Sequence, residues 1–142
     1  MIRFLRTVCL AVCCAIVVTA CGLFFTSEDD PLEAKLATVR DGTQPVPLRE
    51  LTDFRWDEVH LFNEYTDGAF IEKTVGEPVI SADYHAAGSL LVFEETGSVV
   101  KTVTVTGDYL RADQPTFSAD VLAAPNGSGA LRLVSPGRAA PN

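Results

Sequence analysis

Cysteine is missing from everything after residue 21; the four in the chain are Cys9, Cys13, Cys14 and Cys21. A domain beyond that point can form neither an internal disulfide nor a thiolate metal site. Histidine is nearly absent, with only His60 and His85, and there is a single tryptophan, Trp56. Basic residues number 11 against 19 acidic ones, and they cluster nowhere. Phosphate recognition needs grouped Lys and Arg, so nucleic acid is not an expected partner. The same shortage argues against attraction to anionic lipid headgroups. The glycines are isolated, so no phosphate-cradling loop is present. None of the serines sits in a nucleophile-elbow context. No repeat of useful length occurs.

What the chain does have begins at Met1. Arg3 and Arg6 make a short basic start, and an uncharged apolar run of 11 residues follows from Val8 to Val18. A spanning helix needs about 20 residues, so this run reads as the core of a secretory signal. Thr19 and Ala20 supply the small residues that fit a narrow protease cleft just before Cys21. Val18-Thr19-Ala20-Cys21 resembles the bacterial lipobox, in which an aliphatic and two small residues precede a cysteine. The resemblance implies cleavage after Ala20 and fatty acylation, palmitate included, on Cys21. The anchor then holds the chain to a membrane, because two or more acyl chains bind stably where one does not. Acylation also removes a lone thiol that would otherwise face an oxidising compartment. Gly22 in place of an aspartate implies the periplasmic side of the outer membrane in a two-membrane cell. In a one-membrane cell it implies the outer face of the plasma membrane. Losing residues 1–20 with Arg3 and Arg6 moves the net charge from −8 to −10.

The rest of the chain divides by composition. Residues 21–47 read as a lipidated tether. Within it, Pro31 to Arg40 has the pattern of a short helix, with Asp30 as cap and Leu32, Leu36 and Val39 on one face. Residues 48–134 read as a small domain and 135–142 as a flexible tail. In the domain, Val59 to Phe62 reads as a strand. A helix follows from about Asp67 to Val75, capped by Thr66 or Asp67 and stopped by Gly76. Ser89–Glu94 and Val99–Val105 read as strands joined by a hairpin at Glu95-Thr96-Gly97-Ser98. Thr116–Ala123 and Ala130–Val134 read as two more, joined at Asn126-Gly127-Ser128-Gly129. The expectation is an α+β fold: a mostly antiparallel sheet of about five strands, in the order strand, helix, four strands, with the helix on one face.

The densest polar-aromatic stretch runs from Asp53 to Asp67. Trp56-Asp57-x-Val59-x-x-Phe62-x-x-Tyr65-Thr66 resembles a pattern in small uncharacterised bacterial envelope lipoproteins, which implies an envelope setting and no particular activity. Trp56 and Tyr65 are expected chiefly as core residues, with Asp57 and Asp67 closing turns. The functional alternative makes Arg55, Trp56, Asp57 and Tyr65 a recognition patch, since Trp, Tyr and Arg dominate binding hot spots. A metal site would need His60 and His85 to converge with a carboxylate, so no metal and no cofactor are expected. A hydrolase would need His60 beside Asp57 or Asp53. Without assembled catalytic groups, the expected function is a non-catalytic module binding an envelope protein or the cell wall. The alternative is a tethered inhibitor or decoy of a secreted enzyme.

Overall fold

The computed structural model describes residues 27–28 and 30–137. The signal, the cleavage site at Ala20, Cys21 and the last five residues of the tail lie outside that range. Among the described residues, no helix is long and apolar enough to cross a membrane.

The elements in chain order are β1 (Ser27–Glu28), α1 (Asp30–Arg40), β2 (Val46–Pro47), α2 (Leu48–Leu51), β3 (Glu58–Asn63) and α3 (Gly68–Val75). Six strands follow: β4 (Ser89–Glu95), β5 (Ser98–Val105), β6 (Leu110–Ala112), β7 (Thr116–Ser118), β8 (Leu122–Pro125) and β9 (Leu131–Val134). The α+β class stands. The single sheet does not: the strands form a five-stranded sheet, β1-β5-β4-β3-β7, and a four-stranded one, β2-β8-β9-β6. The stretch from Thr116 to Ala123 is where the chain changes sheets. It breaks at Ala119-Asp120, where the Val121 amide donates to the Ser118 carbonyl at 3.0 Å and closes a turn. β7 therefore pairs with β3, while β8 pairs with β9 and β2.

Strand alternation decides what each face of the larger sheet buries. Val59 and Leu61 of β3, Leu91 and Phe93 of β4 and Val103 and Val105 of β5 enter one core. That core is shared with Leu110, Ala123, Leu131 and Leu133 from the second sheet region, and with Leu32, Leu36 and Val39 of α1. The packed chain thus reaches back to α1 rather than starting at Leu48. The apolar face read within the tether is real, but it is buried, and burying three such side chains contributes on the order of 5 kcal/mol.

The opposite face carries a second, smaller core made by Phe62, Leu90, Val92 and Val99 under Ile71 and Val75 of α3. This is the helix-on-sheet contact expected. Its capping is also as read: the Asp67 carboxylate accepts from the Phe70 amide at 2.9 Å, and Gly76 ends the helix at φ 89°. The β4–β5 turn places Thr96 at φ 53° and Gly97 at φ 77°, the paired left-handed residues of a tight hairpin turn.

Candidate functional site

The four residues read as a recognition patch do not form one surface. Trp56 is only 7% exposed and packs its ring 5.2 Å from Phe93 in the main core. Its indole N–H donates to the Thr52 hydroxyl at 2.9 Å. Asp57 anchors the β4–β5 turn, accepting from the Thr96 amide at 2.8 Å. The Arg55 side chain is 91% exposed, with its Nε 3.3 Å from Glu95 Oε1. These three border an open groove of about 460 Å³, together with Arg49, Phe54 and Glu95. Tyr65 is not among them. It lies past the far end of β3, 75% exposed, at φ 65° in a turn held by its own amide donating to the Tyr84 carbonyl at 2.7 Å. Its ring meets His85 with centroids 6.0 Å apart. The Glu64 carboxylate, by hydrogen bond and charge, pushes the Tyr65 hydroxyl above its ordinary value.

The most unusual chemistry among the described residues lies elsewhere, at the end of the face that α3 covers. β3 and β4 pair Glu58 with Glu94, His60 with Val92 and Phe62 with Leu90, so these six share one face. α3 stops at Val75 and covers the apolar part of this row. The polar part, Glu58, His60 and Glu94, lies at its end. His60 is 1% exposed and Glu94 5%. The His60 ring stacks on Phe62 with centroids 6.2 Å apart and planes 16° from parallel. Its Nδ1 is 2.9 Å from the Thr116 hydroxyl on β7.

The other ring nitrogen is different. Nε2 stands 3.4 Å from Glu58 Oε1 and 3.5 Å from Glu94 Oε2. Both separations exceed ordinary N–H···O lengths, and Nε2 has no hydrogen-bond partner. Glu94 Oε1 is likewise buried without one. Each such orphan costs roughly 1–3 kcal/mol. The ligand-type atoms of Glu58, His60 and Glu94 all lie within 4.8 Å of one another.

The carboxylates that meet His60 are thus Glu58 and Glu94, not Asp53 or Asp57, and the hydrolase arrangement is not assembled. His85, the other histidine, is exposed beside Tyr65 and is not part of this cluster, so the two histidines do not share a site. Glu58 and His60, two apart in a strand, announce a shared face in the sequence. Glu94 does not, because its place depends on long-range register. No family model, curated protein or solved structure significantly matches the chain.

Proposed function

We propose that this chain is a lipid-anchored protein of the bacterial cell envelope whose domain is a non-catalytic module binding an envelope protein or the cell wall. The observation that carries the reading is the Val18-Thr19-Ala20-Cys21 sequence behind a short apolar core, with no cysteine after it. Cleavage after Ala20 makes Cys21 the N-terminus, and its acyl chains supply the membrane affinity that an acidic domain lacks. The anchor sits on the periplasmic side of the outer membrane, or on the outer face of the plasma membrane in a one-membrane cell.

One feature supports a binding role. The groove beside Arg55 offers Arg49, Arg55, Asp57 and Glu95 on a base that includes Phe54, a mix of charge and apolar surface suited to a polar partner. Trp56 acts there as a support rather than an anchor.

The test has two arms. Mass spectrometry of the native protein is expected to show a chain beginning at residue 21 with added acyl mass; retention of Met1, or an unacylated residue 21, overturns the address. Affinity capture from intact envelopes is expected to recover a partner with the wild type and to lose it with Arg55→Glu. Equal recovery by both removes the groove as the contact surface.

A further inference from the structure

We propose that Glu58, His60 and Glu94 bind a single divalent transition-metal ion, with zinc as the best-fitting ion, at the end of the β3–β4 face. Two observations converge on that site. His60 Nε2 and Glu94 Oε1 are buried polar atoms with no hydrogen-bond partner. The separations from Nε2 to the two carboxylates are 3.4 and 3.5 Å. A tetrahedral ion with bonds of about 2.1 Å holds its ligand atoms about 3.4 Å apart. The two separations at Nε2 exceed ordinary hydrogen-bond lengths and match ligands sharing one ion, while the Glu58 and Glu94 oxygens, within 4.8 Å, must draw together as the ion binds.

The surroundings are those of a metal-binding histidine. Nδ1 lies 2.9 Å from the Thr116 hydroxyl. With the proton on Nδ1 and donated to Thr116, Nε2 is left with its lone pair directed at the carboxylates, and the ring is fixed in orientation. Phe62 stacked on the ring restricts it further. Glu94 flanks a register shift in the β4–β5 pair, where Phe93 faces Lys101 but Glu94 faces Val99. That leaves Val100 as the extra residue of a bulge, a device that re-aims a neighbouring side chain. Glu58 has a side chain 45% exposed and forms the solvent side of the site, where a water can complete four-coordination.

The donor set selects the ion. Calcium takes six to eight oxygen ligands and magnesium prefers an all-oxygen octahedron, so one imidazole and two carboxylates serve both poorly. Imidazole with carboxylate suits zinc and its first-row neighbours. The ion ties β3 to β4 directly, and to β7 through Thr116. This site is separate from the groove at Arg55, and its failure leaves the proposed anchor and binding role untouched.

The test uses the mature acylated chain, residues 21–142, in detergent, stripped with a chelator and titrated with ZnCl2. One zinc per chain is expected, with the unfolding midpoint raised by about 5–10 °C at a hundredfold excess over Kd. X-ray absorption is expected to show nitrogen and oxygen ligands only. Glu58→Gln and Glu94→Gln should each weaken zinc binding at least about tenfold, and His85→Ala should leave it unchanged. His60→Ala should abolish it. Should that variant fail to fold, Glu58→Gln, altered at the solvent rim, decides the matter. No zinc uptake, wild-type affinity in both glutamine variants, or sulfur in the shell overturns the proposal.

Discussion

Trp56 donates its indole N–H to the Thr52 hydroxyl four residues earlier, at 2.9 Å, and packs edge-on against Phe93. The bond satisfies the one polar atom of a side chain otherwise inside the core. Trp56 therefore holds the end of α2 to the larger sheet, and its loss acts on folding before it acts on binding. Trp56→Ala is expected to cost about 3–5 kcal/mol in urea unfolding followed by circular dichroism. Thr52→Val, which leaves the indole N–H unpaired, should cost about 1–3 kcal/mol. A Trp56→Ala protein of undiminished stability would restore the residue as a surface anchor.

Helix α1 supplies a second measurement. Leu36 is fully buried among side chains from both sheets, and Lys35 donates to the Leu51 carbonyl at 2.9 Å, joining α1 to α2. Leu36→Ala is expected to destabilise the protein by about 2–5 kcal/mol, a large share of a small domain's total. The sole tryptophan gives a fluorescence signal for the transition. A stability change below about 0.5 kcal/mol, the scale of a surface substitution, would return α1 to the role of a tether.

How much of this was legible follows from the range of each signal. α3 was readable end to end because its instructions are local: Asp67 caps, Ile71 and Val75 recur on one face, and Gly76 adopts the left-handed conformation that stops it. The β4–β5 hairpin was readable for the same reason. α1 was readable as a helix but not as core. Its three apolar residues say that some surface covers them, not which one. The break between β7 and β8 was missed because Ser118-Ala119-Asp120 interrupts an otherwise strand-like run by turn chemistry alone. In the site, the Glu58 and His60 spacing was visible. Glu94 joins them only through the β3–β4 register, which spans the whole of α3 and the loop after it.

Gly88 and Gly97 separate two costs of replacing glycine. Both have positive φ, 109° and 77°. At Gly97 an added Cβ meets nothing within 4 Å, so Gly97→Ala carries only the left-handed penalty, about 1–2 kcal/mol. At Gly88 the Cβ would lie 2.1 Å from the Val105 carbonyl oxygen, a backbone atom within the β4–β5 pair. Gly88→Ala is expected to cost clearly more, about 3 kcal/mol or above, because the strand ends must part. Equal unfolding midpoints for the two variants would contradict this close approach.

The last prediction concerns alkaline pH. Burial pushes the Tyr84 hydroxyl above its ordinary value, and the neighbouring Thr104 offsets only part of the rise. Burial likewise raises Tyr109, reinforced by the charge of Glu33 and opposed by Arg40, whose guanidinium lies 5.0 Å from the ring centroid. The sign is that of acids kept protonated by folding. Near neutral pH both states are protonated and nothing is lost. Above about pH 10 the unfolded chain releases these protons first, so stability falls as pH rises towards the folded-state values. The buried Tyr84 hydroxyl has at most a weak interaction with the Thr104 side chain, so Tyr84→Phe should leave stability near pH 7 within about 1 kcal/mol of wild type. It should also flatten the decline between about pH 9 and 11. Parallel alkaline slopes for the two proteins, measured as urea midpoints against pH, would place the titration in other groups.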